Sequence, residues 1–259
     1  MRREHWITIS GFLLLFACIY LGCDTKSQET KALEKSRTLN FETINIQNLR
    51  DAALENLGPD KKQQFIVLSQ QMNMESDDSL QTNLLMKIAG FWYENAEILL
   101  SGHYAQKIAE KEPTEQAWSI AGTTYLIALK EVDNDAQKKY AMQHAVDAFE
   151  KAISINPDNI DNKINLALCY VENPSEENPM MGIQQLLSLN QDNPDNVAVI
   201  LQLARLGMQT GQWDKAIGRL EKALQLDPEN MEVICMLASA YGGKGDSSNA
   251  DKYRTLCQN

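Results

Sequence analysis

Three histidines, five cysteines and one glycine-rich stretch are the parts of this 259-residue sequence with the means to do chemistry. Nucleophilic catalysis needs a hydroxyl or thiol beside a base that takes its proton. After residue 22 that base could only be His103 or His144, and neither falls in a pattern with Cys, Ser or Asp that repeats a nucleophile and its base. His144 directly precedes Ala145 on a helical stretch and reads as a packing or surface histidine. Cys169, Cys235 and Cys257 show no C-x-x-C and no metal-ligand spacing, so no metal is expected. An odd set of three argues against a disulfide framework, and these cysteines read as small buried apolar residues. Gly242-Gly243-Lys244-Gly245 invites comparison with a phosphate loop, yet the order G-x4-G-K-[ST] is missing and the stretch reads as a turn between helices. Residues 158–162 lack the turn glycine of a calcium loop and read as a helix cap. The expectation is a protein that is not an enzyme and holds no cofactor.

Composition narrows the partners. A formal net charge of -11 and a pI near 4.8 give a mean field that repels phosphate backbones, and no Lys/Arg cluster offsets it, so nucleic acid is not expected. Arg2 and Arg3 precede an uncharged run from Trp6 to Gly22, followed at once by Asp24-Thr25-Lys26-Ser27, which is the layout of a secretory leader. Gly22-Cys23 resembles the junction at which bacterial lipoproteins are cleaved and Cys23 takes the lipid. Leu15-Phe16-Ala17-Cys18 offers a second such junction, and an uncleaved anchor is a third reading. All three place the rest of the chain on a tether outside the cytoplasm, on the periplasmic side of a bacterial envelope. The chain divides into a leader or anchor (1–22), a polar linker (23–43), a helical region (44–114) and a repeat domain (115–259).

Helices must position whatever acts here, because no strand-like alternation bounded by turns occurs anywhere. Leu49, Ala52, Ala53 and Leu57 recur at helical spacing up to Gly58-Pro59, and a second short helix carries Phe65, Ile66 and Leu68. Leu84, Leu85, Ile88, Ala89 and Trp92 form one further apolar face, and Tyr104, Ile108 and Ala109 another before Pro113. This pair reads as a decayed repeat that caps the C-terminal array. There one signature recurs: Ala145, Phe149, Ala152 and Pro157 return as Ala216, Leu220, Ala223 and Pro228 with identical spacing.

With Trp118, Ala121, Gly122 and Tyr125 before it, the first copy resembles the tetratricopeptide repeat, whose pattern is W-x2-L-G-x2-Y, then A-x3-F, then Pro. Leu166, Ala167, Tyr170, Gly182, Leu186, Leu189 and Pro194 mark a second copy, and Ile200, Leu203 and Ala204 open the third. Ile234, Leu237, Ala238, Tyr241 and Ala250 mark a fourth. The four units span 115–159, 160–196, 197–230 and 231–259. The resemblance implies an all-α, right-handed solenoid of about four hairpins preceded by N-terminal helices. Gly122 is expected to face Ala145, and Ala204 to face Ala216, where helices cross closely. Proline ends each second helix and the Asp/Asn after it caps the next first helix. The first unit carries 11 residues more than the third between corresponding positions, about three turns. Both of its helices are therefore expected to lengthen, through 126–132 and 136–144, and the hairpin to project.

In this family the partner is a protein segment held in the concave groove that the first helices line. Register places Ile120 and Thr123, then Ile164, Asn165 and Leu168, then Leu201, Gln202, Arg205 and Met208, then Met236 in that groove. Such a lining suits an amphipathic helix or an extended apolar segment. The clamp that some members use for acidic chaperone tails is not matched: Asn165 fits one place, but Ser119, Thr123, Ala198 and Gln202 supply no lysine. Residues 44–72 are an alternative occupant of the groove. Lys151, Glu221 and Lys222 read as a solvated outer face. The implied function is a tethered interaction scaffold. Alternatives are an accessory, chaperone-like factor similar to the repeat domains of cytochrome c maturation, or a structural homo-oligomer.

Overall fold

A computed structural model describes residues 44–258. The leader, Cys23 and the linker through residue 43 lie outside the described residues. Twelve helices run from Ile46, with no strand among the described residues: α1 (Ile46–Asn56), α2 (Pro59–Met74), α3 (Asp78–Glu94), α4 (Ile98–Lys111), α5 (Glu115–Glu131) and α6 (Asp135–Ile155), then α7 (Ile160–Glu172), α8 (Met181–Asp192), α9 (Val197–Gln209), α10 (Trp213–Leu226), α11 (Met231–Lys244) and α12 (Ser247–Cys257).

Local chemistry sets the boundaries. Pro59 opens α2, where a missing N–H costs nothing. Asn159, Asn196 and Asn230 each stand two residues after a proline, and each side chain accepts from backbone N–H groups in the first turn of the following helix. The proline ends one helix and the asparagine starts the next. From α3 onward the helices pair in order, α3 with α4 through α11 with α12, and each second helix also packs on the next first helix. The hairpins thus stack into a helical solenoid, the arrangement in which apolar faces are covered only by neighbours. The helix pair predicted over 80–114 is present as α3 and α4.

The long first hairpin is helical throughout, with 17 residues in α5 and 21 in α6, against 13 and 14 in α9 and α10. It does not project as an isolated element. Leu126, Ala128 and Leu129 of the extra turns are buried in one cluster with Ile98, Leu99, Ile164 and Leu203, so the added length becomes a spine on which α4, α7 and α9 pack. The close crossings involve further residues. What covers Gly122 is the Phe149 ring, whose carbons would lie 2.8–2.9 Å from an added Cβ, and a Cβ added at Gly207 would lie 3.3 Å from that of Ala216. The tightest approach is α7 against α8, where a Cβ on Gly182 would fall 2.4 Å from the Ala167 carbonyl oxygen.

Cys235 and Cys257 form a disulfide with a Cα–Cα distance of 5.0 Å, which corrects their reading as unpaired thiols. The antiparallel hairpin is the reason. Gly245, at φ +87°, turns the chain midway between them and brings the start of α11 against the end of α12. Among the described residues Cys169 alone stays free, and burial pushes its thiol up to about 12, which makes it inert.

Candidate partner-binding face

Four successive first helices pack side by side, α5 on α7, α7 on α9 and α9 on α11. Their contacts absorb part of the expected groove lining. Ile164, Leu168 and Leu201 are only 4%, 9% and 6% exposed, so they fill the joints between helices instead of meeting a partner. Sequence register assigns a residue to a face but does not say how closely the next helix covers it. Thr123, Asn165, Gln202, Arg205, Met208 and Met236 remain half-buried along this face. Met208 and Met236 border the core cluster of the last two hairpins. Residues 46–72 do not fill the groove: α1 packs on α4, and α2 on α3.

Polar bridges fix the spacing of the first helices. Asn162 is fully buried on α7; its amide donates to Glu115 of α5, and its carbonyl accepts from the Ser119 hydroxyl at 2.7 Å. Lys130 pairs with Glu172 at 3.3 Å, and Arg205 of α9 pairs with Glu232 of α11. Arg205 is therefore a strut as well as a lining residue. The charges expected to be merely solvated also reach other elements. Lys151 lies 4.2 Å over the Trp118 ring, Glu221 accepts from the Tyr241 hydroxyl at 2.6 Å, and Lys222 donates to the Pro194 carbonyl at 2.6 Å.

The opening lies further toward the N-terminus, between α3 and α5. Here two consecutive first helices stand apart, and a cleft of about 510 Å³ separates them with α4 as its floor. Ala89, Gly90, Ala105 and Ala117 keep the floor low, and Met86, Tyr93 and Ile120 form walls that are 50%, 52% and 53% exposed. Ile120 is the one predicted groove residue that lines it. The α3 side was missed because Leu85, Ile88, Phe91 and Trp92 form a stronger apolar face pointing at α2 and α4. The weaker face, Met86 to Tyr93, is the one left open. Its signal was present at helical spacing, with Gly90-x-x-Tyr93 matching Gly122-x-x-Tyr125.

The histidines hold structural places. His144 shares a hydrogen bond with the Gln106 side-chain carbonyl at 2.7 Å, stacks on Tyr125 at 5.1 Å and packs on Tyr140 at 4.1 Å. Burial lowers its pKa, and burial followed by the nearby Lys107 and His144 lowers His103 to about 4. His144 thus sits among the Gln106 amide and the Tyr125 and Tyr140 phenols, and His103 against the Tyr104 ring. Gly242, Gly243 and Lys244, expected as a turn between helices, form the last turn of α11 and only Gly245 caps it, with Gly243 under the Trp213 indole. Among the described residues no group of three or more His, Cys, Asp or Glu is placed to hold a metal, and no helix is long and apolar enough to cross a membrane.

Comparison with known proteins agrees with this geometry. Residues 184–240 match the family model described as tetratricopeptide repeat. Anaphase-promoting complex subunit 3 of Dictyostelium discoideum is 28% identical over 113 residues, which cover 44% of this chain and 11% of that protein. Lipopolysaccharide assembly protein B of Haemophilus influenzae is 31% identical over 109 residues, 40% of this chain and 27% of that one. The chain thus spans between about a tenth and about a quarter of the length of these relatives. Among solved structures, a crystal structure of MamA aligns at 17% identity with a TM-score of 0.43, covering 66% of this chain and 92% of that one. YrrB, described as a tetratricopeptide protein with an unusual peptide-binding site, aligns at 18% identity and 0.39, covering 67% and 83%. Residues 184–240 thus match the tetratricopeptide repeat, and the recurring spacing and stacked hairpins from α3 to α12 form a helical solenoid of the same kind.

Proposed function

We propose that this chain is a non-catalytic scaffold that holds a segment of a protein partner against its first helices, tethered to the bacterial envelope through a lipid on Cys23. Proteins of this repeat family mediate protein–protein interactions. The observation that carries the reading here is the apolar cleft between α3 and α5, where three large side chains stay about half exposed around a floor of small residues. From the cleft, half-buried polar and methionine side chains continue along α5, α7, α9 and α11, as a surface that adapts to a bound segment would require. The uncharged run from Trp6 to Gly22 ahead of Cys23 supports the tether. Pairing of Cys235 with Cys257 supports an oxidising compartment.

Photo-crosslinking from single positions tests the binding face. Photoreactive residues replacing Tyr93, Ile120 or Gln202 in the full chain should capture one and the same partner from envelope extract. The same probe at Leu187 of α8 or Leu226 of α10, both exposed on second helices, should not. Equal adducts from both sets would remove the first-helix face as the binding surface.

A further inference from the structure

We infer that the cleft between α3 and α5 seats a helix of the partner, one with a small residue at the centre of its apolar face and a lysine or arginine at the end that reaches Glu112. This rests on the first-helix face being the binding surface, and names what one part of it takes. In the other three joints consecutive first helices pack on one another; between α3 and α5 no packing of that extent is present, and the space has the proportions of a ligand cleft. Gly90 marks where a second backbone fits. An added Cβ there meets nothing within 4 Å, whereas one on Gly102 or Gly122 would strike the Tyr125 or Phe149 ring. No internal contact requires the missing side chain at Gly90, yet a glycine inside a helix costs stability, and what it leaves is room for close backbone approach. Charge selects one end of the guest. Glu112 lines the cleft as the C-cap of α4, where the last carbonyls already carry partial negative charge. The neighbouring Lys111 is turned to Asp78 at 2.6 Å, and among the described residues no ion pair neutralises Glu112. A cation on the guest supplies that partner.

A displayed library of peptides of about 18 residues, five helical turns, selected on the purified full chain provides the probe. Binding of the selected peptides is then measured on the wild-type chain and on Gly90→Leu, Glu112→Gln, Arg205→Glu and Leu187→Gln. Apolar residues at i, i+3 or i+4 and i+7, a central small residue and a terminal Lys or Arg should dominate the selection. Gly90→Leu should weaken binding about tenfold or more and Glu112→Gln about threefold, with a smaller loss in Arg205→Glu than in Gly90→Leu and none in Leu187→Gln on α8. Ala117→Leu fills the same floor from α5 and repeats the test should Gly90→Leu unfold. Peptides that lose affinity only with Arg205→Glu overturn the cleft assignment while leaving the wider binding face intact. Peptides indifferent to every variant overturn both. Sedimentation showing self-association that Gly90→Leu abolishes assigns the cleft to a second copy, and overturns the partner helix.

Discussion

Gly90 and Gly122 hold the same place in their hairpins, three residues before a tyrosine, and are under opposite demands. Gly122 is required by the Phe149 ring pressed upon it, while Gly90 faces open space. Gly122→Ala should therefore destabilise by about 1–3 kcal/mol through overpacking. Gly90→Ala should stabilise by about 0.5–1 kcal/mol through helix propensity alone. Denaturant unfolding of the two variants reads the difference, and the same sign for both would contradict the packing described. Titration gives a second test at this scale. His103 binds its proton near 4 when folded and near its ordinary 6.5 when unfolded, so between those values the unfolded chain holds more protons. Stability should fall as pH drops through that window, by up to about 3 kcal/mol from this residue. Melting curves of the wild type and of His103→Gln from about pH 7 to about pH 4.5 should diverge, the variant losing less. Parallel curves would contradict the burial of His103. Sequence marked both glycines as special by their spacing to tyrosine. It could not say which one a ring covers, since that depends on where a helix of another segment lies.

At the scale of elements, hairpin boundaries were legible because each is written in local chemistry: a proline that stops one helix and an asparagine two residues on that caps the next. The extra turns of α5 and α6 were legible in length, since whole turns preserve the apolar face, but their surroundings were not. Ile98 and Leu99, far away in sequence, are what bury them. The disulfide was the clearest miss, and its signal was available: Cys235 and Cys257 stand 22 residues apart, symmetric about the turn at Gly245 and Asp246. Counting cysteines and scanning for short motifs overlooked that an antiparallel hairpin pairs residues equidistant from its turn. The bridge closes a loop worth about 3 kcal/mol in unfolded-chain entropy. It matters most to α12, whose buried side is confined to Ala250. Cys257→Ser should accelerate amide exchange across α12 and the start of α11 while leaving α5 and α6 protected. Uniform loss of protection along the chain would mean that the hairpins unfold as a single unit instead.

For the whole molecule, the repeat pattern specifies a solenoid, and the solenoid specifies that the first helices share a face. How much of that face is open depends on distances between helices, which no pattern within one helix encodes. Three joints are closed by contact and by bridges such as Asn162 to Glu115 and Arg205 to Glu232, and one joint is open. Binding should therefore concentrate at the N-terminal end of the array, with the half-buried residues of α7, α9 and α11 guiding the remainder of the segment. Hydrogen exchange of the full chain, alone and saturated with a captured partner, tests this most directly. The account predicts added protection over residues 86–93 and 117–124, fading along the later first helices, with α6, α8 and α10 unchanged. Protection confined to those second helices, or none in α3 and α5, would contradict it.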